Sequence, residues 1–199
     1  MKKNTVKKVI QFIVVMIFFT TLTSCQDSYL PKPKAYLSLE YTKAVYEKRA
    51  SDCGFTFDGN QQSSISYPNI KSSNQEMCSM SIHYPKWNAN LYLSYSTIDQ
   101  NLVKLLKDAQ KIPEQHIVKA DEIVSTVYEN SKNKTYGMFY EVIGNAASTH
   151  QFYLTDSTKH FLLGSLYFNR KPNYDSIFPA AKYLEKDLKR FIESLVWKS

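Results

Sequence analysis

Polar and apolar positions alternate with period two through Ser79–Tyr84 and again through Ala89–Tyr95. Met80, Ile82 and Tyr84 take one side of the first run, Ser81 and His83 the other. In the second, Leu91, Leu93 and Tyr95 oppose Asn90, Tyr92 and Ser94. Successive strand side chains point to opposite faces, so the two runs around "PKWN" predict a β-hairpin. The period then lengthens. Ile98, Leu102, Leu105, Leu106 and Ala109 recur at helical spacing behind Thr97 and Gln100, which are spaced as a capping box, and Pro113 should end or kink that helix.

Strand-like runs return at Glu122–Tyr128, Thr135–Ile143, Thr149–Leu154 and His160–Phe168, joined by "NSKNK", "GNAAS" and "TDSTK". The last run sets Phe161, Leu163 and Tyr167 against Leu162, Leu166 and Phe168. Both faces are apolar, so part of the sheet must be covered on both sides. A helix over Ser176–Trp197 closes the chain. Tyr183, Leu184, Leu188, Phe191, Ile192, Leu195 and Val196 form its buried stripe; Lys182, Glu185, Lys186, Lys189, Arg190 and Glu193 form its wet face.

Signals before residue 79 are weaker. Tyr36–Leu39 reads as an edge strand and Tyr41–Lys48 as short and mixed. Phe55–Phe57 and Ile65–Tyr67 read as short strands around the polar loop "DGNQQSS". The order strands, helix, strands, helix predicts an α+β fold, a mainly antiparallel sheet packed with helices. In element order it is similar to the MOG1/PsbP-type α/β/α sandwich.

The amino terminus follows another pattern. Four lysines precede Val9–Leu22, an apolar run too short for the roughly twenty residues a membrane-spanning helix needs. A cationic head and a short apolar body describe an export signal. Leu22-Thr23-Ser24-Cys25 then fits a lipobox, in which the thiol is alkylated with diacylglycerol and cleavage leaves Cys25 as the new amino terminus. With an added acyl chain such as palmitate, the anchor holds without a transmembrane helix. The expected organisation is a leader over 1–24, a lipidated tether over 25–35 containing Pro31 and Pro33, and one globular domain over 36–199.

Removing the leader's four lysines lowers the formal charge from +7 to +3 and leaves 175 of 199 residues. That charge gives no reason to expect nucleic acid, which calls for a clustered basic stripe. With Cys25 lipidated, Cys53 and Cys78 remain, in an oxidising compartment where a disulfide persists. Two buried free thiols are the alternative. A redox pair is disfavoured by the long spacing.

No nucleophile elbow, zinc-protease helix, phosphate loop or calcium loop is present, and no cofactor or metal site is expected. The histidines are His83, His116, His150 and His160. An even loop in the "TDSTK" hairpin would put His150 and His160 on opposite faces; an odd loop puts them on one face, with Asp156 at the turn. Tyr153 and Asp156 beside His160 otherwise form a hydrogen-bonded corner. "DST" at 156–158 and "DSI" at 175–177 match a short O-glycosylation pattern and read equally as a turn and a helix cap at Ser176.

"LPKPKAYLSLEY", "IHYPKWNANLYLSY", "HIVKADEI", "GNAASTHQFYLTDSTKHFLLGSLYFN" and "PNYDS", in this order, resemble the gliding-motility lipoprotein family GldD. The resemblance implies an envelope lipoprotein required for gliding in Bacteroidota, whose motility adhesins reach the surface by type IX secretion. No enzymatic activity comes with it. The expected role is a non-enzymatic binding or assembly component with protein partners in that apparatus, anchored to a membrane by lipid. It should face the periplasm, with inner or outer membrane left open. The expected partner surface comprises Asn145, Asp156, His160, Arg170, Tyr174 and Asp175, in three polar loops that carry residue types suited to interfaces. The alternatives are an envelope hydrolase using His160 and Asp156, and a small-ligand or metal-binding domain.

Overall fold

Period-two segments can bury one face only by pairing and packing, and here they close into two antiparallel sheets. The computed structural model describes residues 41–68, 77–115, 118–171 and 173–198, together with Lys7. The expected leader (apart from Lys7), Cys25, the tether, the Tyr36–Leu39 strand and His116 lie outside the described residues. Described are β1 Tyr46–Ala50, β2 Phe55–Asn60, β3 Ser64–Ser66, β4 Met77–Tyr84, β5 Ala89–Thr97, α1 Leu102–Glu114, β6 Ala120–Asn130, β7 Thr135–Gly144, β8 Ser148–Thr155, β9 His160–Phe168, α2 Tyr174–Ser194 and β10 Val196–Trp197. The large sheet runs β3-β4-β5-β9-β8-β7-β6 and the small one β1-β2-β10. The fold is α+β, as the order of segments predicts.

A helix covers each face of the large sheet. Leu184, Leu188, Phe191 and Ile192 of α2 join Phe139, Phe152, Leu154, Leu162 and Leu166 in the main core. Leu102, Leu105, Leu106 and Ala109 of α1 pack with Met138, Tyr140, Tyr153, Phe161 and Leu163. The two sets alternate along β8 and β9, so they occupy opposite faces. Every residue of β8 is buried, as expected of a strand covered on both sides. Gly164 lies opposite Phe152, and a Cβ there would clash with the Phe152 ring.

The small sheet leans on α2 from the same side as the main core. Phe55 and Phe57 pack on Phe191, and Asp187 accepts from the Tyr46 hydroxyl at 2.6 Å and from Asn60 Nδ2 at 2.8 Å. Cys53 and Cys78 are disulfide-bonded with Cα atoms 5.4 Å apart, tying the β1–β2 turn to β4 of the large sheet.

Several local expectations are corrected. Thr97 does not cap α1; it is the last residue of β5, opposite His160. Gln100 takes a left-handed φ of 55°, and the Asn101 N-cap makes no side-chain cap bond. The closing helix does not reach Trp197. Ser194 Oγ bonds back to the carbonyls of Arg190 and Phe191, Leu195 leaves helical geometry, and β10 pairs with β2. Val196 is therefore exposed rather than part of the buried stripe. Glu185, expected on the wet face, is only 8% exposed because two lysines neutralise it. β1, read as short and mixed, is a strand whose partner explains it better than its own pattern does.

Candidate functional site

The β8–β9 hairpin resolves the two-histidine alternative by its register. Thr155 pairs with Phe161 and Leu154 with Leu162, which leaves an odd loop centred on Thr158. His150 and His160 thus share a face. His150 pairs with Leu166, six residues along β9 from His160, so about 20 Å separate the two rings' strand positions at 3.3–3.4 Å per residue. They build separate environments.

At the hairpin tip, Asp156 Oδ1 accepts from the backbone N–H groups of Thr158, Lys159 and His160 at 3.0, 2.8 and 2.8 Å, and Oδ2 accepts from the Thr158 hydroxyl at 2.9 Å. Burial pushes its carboxyl up, but these four donors outweigh that and hold it below the usual range. The His160 ring turns elsewhere. Nδ1 lies 2.7 Å from the Tyr95 hydroxyl, and the ring stacks on Trp197 at 5.1 Å. Burial lowers its pKa; Asp156 opposes that and Lys159 reinforces it. This is a hydrogen-bonded corner built on Asp156, with Tyr95 rather than Tyr153 as the partner of His160.

Asn145, Arg170, Tyr174 and Asp175 gather at the opposite end of the sheet, a β9 length or about 27 Å from Asp156 and His160. The six expected partner residues therefore form two groups rather than one patch. Asn145 Oδ1 accepts from the Tyr174 N–H at 2.9 Å and Asn173 Oδ1 from the Ser176 N–H, so two asparagines, not Ser176, cap α2. Asp175 sits in the first helical turn, where its charge suits the helix dipole. Tyr174 packs at a tilt against Phe178, and Arg170 is exposed. Next to them Asn88, Asn90 and Asn169 form a side-chain ladder across the β4–β5 and β9 ends, with His83 Nδ1 2.6 Å from Asn90 Oδ1.

A third group lies where β7, β8 and α2 meet. Glu141 of β7, its cross-strand partner His150 and Glu185 of α2 each offer a ligand atom, all within 4.8 Å of one another. Lys182 Nζ bridges Glu141 Oε1 at 2.7 Å and Glu185 Oε2 at 2.8 Å, and Lys189 Nζ holds Glu185 Oε1 at 2.6 Å. His150 is 1% exposed, and burial drives its pKa down to about 4, with Glu185 opposing and Lys182 and Lys189 assisting. Three residues drawn from two strands and a helix have no sequence spacing to betray them.

Among the described residues no helix is long and apolar enough to cross a membrane. The family model described as "Gliding motility lipoprotein GldD" matches residues 26–197 of the chain. No curated protein matches it.

Proposed function

The chain belongs to the gliding motility lipoprotein GldD family, and from that premise we propose that it is a lipid-anchored, non-enzymatic assembly component of the gliding and type IX secretion apparatus. The family match carries the reading, because it begins directly after Cys25 and runs through the whole folded body. Cys25 bears the lipid, the proline-containing tether spaces the body from the bilayer, and residues 36–199 act as one periplasm-facing domain.

The partner face in this reading is the sheet end with Asn145, Arg170, Tyr174 and Asp175. It is polar, and asparagine caps fix its backbone, so a partner would meet a preorganised surface. The hydrolase alternative loses support from the hairpin geometry. Both Asp156 oxygens are engaged by the turn's own donors, and the His160 ring points to Tyr95 and Trp197.

The test is crosslinking in intact cells followed by capture from membranes, comparing the natural chain with Arg170→Glu. Loss of specific neighbours together with loss of gliding is expected. Recovery of the same neighbours from the variant removes this face. Mass spectrometry of the captured chain should show a diacylated Cys25; an unmodified thiol or an intact leader would end the anchoring model.

A further inference from the structure

We propose that Glu141, His150 and Glu185 form a binding site for a zinc-class divalent cation, with the Lys182 ammonium as a displaceable occupant of its outer side. One buried atom of the cluster is unpartnered. His150 is 1% exposed, yet its Nε2 has no hydrogen-bond partner and faces Glu185 Oε2 at 4.0 Å. That distance is too long for a hydrogen bond. The other ring nitrogen, Nδ1, lies 3.1 Å from the Thr149 hydroxyl. When Nδ1 carries the proton and donates it there, Nε2 presents a lone pair toward two carboxylates. A lone pair and two anions converging in a buried space repel one another unless a cation lies between them.

Lysine fills that need only in part. The Lys182 ammonium spans the two carboxylates, but nothing bonds Nε2. A metal ion would satisfy all three. Zinc bonds nitrogen at about 2.0–2.1 Å and carboxylate oxygen at about 2.0–2.2 Å, which places tetrahedral ligands about 3.4 Å apart. Atoms already within 4.8 Å need to close by little more than an ångström. Imidazole favours zinc and its transition-metal neighbours over magnesium or calcium. The hydroxyl on Nδ1 is the outer partner that fixes the tautomer of a metal-bound histidine. Access exists, since the Lys182 side chain is 40% exposed and its displacement would open the cluster from the solvent side. Lys189 stays on the far oxygen of Glu185, 2.6 Å away. A bound ion would join β7, β8 and α2 at one point.

The experiment uses the full chain in detergent. Zinc chloride is titrated against a chromophoric zinc indicator, and retained metal is counted after dialysis. One zinc per chain is expected, with at least tenfold weaker binding in Glu141→Gln and His150→Gln. Lys182→Met should bind at least tenfold more tightly, because the competing cation is gone. Circular dichroism checks each variant's fold; Glu141 is partly exposed and its variant serves if His150→Gln does not fold. No retained zinc overturns the proposal, as does binding unchanged by both ligand variants. Zinc held by Lys182→Met alone would mean that the ammonium prevails in the natural chain, and overturns it equally.

Discussion

The large sheet and the small one are stabilised by different means. In the meander from β6 to β9 each strand pairs with its neighbour in sequence, and β8 and β9 bury aromatic and aliphatic side chains on both faces. The small sheet takes β1 and β2 from one end of the described chain and β10 from the other. Its outer strand, like β3 and β6 at the edges of the large sheet, shows no buried residue. Long-range ties add to the packing of Phe55 and Phe57 on α2: Asp187 to Tyr46 and Asn60, the Asp58 N–H to Ser194 Oγ at 2.8 Å, Arg49 on two turn carbonyls, and the disulfide. Hydrophobic pattern suffices where partners are neighbours. Where they are remote, covalent and polar links are added to the burial of one central strand.

Truncating the large sheet's core should have the largest effect. Phe152 is 1% exposed and lies across Gly164, so Phe152→Ala should cost about 3–5 kcal/mol. Urea denaturation would measure it, and hydrogen exchange should show protection falling throughout β7, β8 and β9. Loss confined to β8 would refute the picture of one cooperative core.

Removing the disulfide should follow. Its 25-residue separation corresponds to about 3–4 kcal/mol in the chain-entropy model. In Cys53→Ala combined with Cys78→Ala, β1 and β2 amides should lose protection before those of β8 and β9. Uniform loss would show that the small sheet does not depend on the bridge more than the large one does. A smaller effect is expected at Arg49. Its guanidinium donates to the Ser63 and Asn60 carbonyls, each at 3.0 Å, while its Glu47 partner is half exposed and adds little. Arg49→Met should cost about 1.5–3 kcal/mol, the usual worth of charged hydrogen bonds. A thermal midpoint equal to that of the natural chain would contradict this.

The same contrast explains what could be read in the sequence. β4 and β5 are legible because each carries its own alternation, and β7 to β9 because each is a strand-like run bounded by turn signals; His160–Phe168 matches β9 end to end. β1 and β10 are illegible because their strand character comes from β2, not from their own residues. Val196 and Trp197 continue the apolar spacing of α2, so period alone extends that helix too far. At the candidate sites, chain distance misled in both directions. "TDSTKH" and "FNRKPNYDS" are close in sequence and lie at opposite strand ends, whereas Glu141 and Glu185 are far apart and meet. His150 is one of several polar residues in the buried β8 and does not stand out in sequence from Thr149 and Gln151.

The smallest effect concerns His160, where the two sheets touch through its stack on Trp197 of β10. Burial lowers the ring's pKa in the folded chain, against the partial opposition of Asp156. Between the folded value and the unfolded value of about 6.5, the unfolded chain binds the proton more readily. Stability contributed by neutral His160 is therefore complete above pH 6.5 and declines as pH falls toward the folded value. His150 follows the same sign, so the natural chain's slope alone does not separate them. His160→Gln removes one contribution and leaves the other. A urea series from pH 7.5 to pH 5 should give a shallower decline for His160→Gln than for the natural chain. The difference should also shrink in Trp197→Ala, which uncovers the ring and relieves its desolvation. Equal slopes in all three would show that the stack leaves His160 as hydrated as in the unfolded chain, and that the sheets meet there without electrostatic consequence.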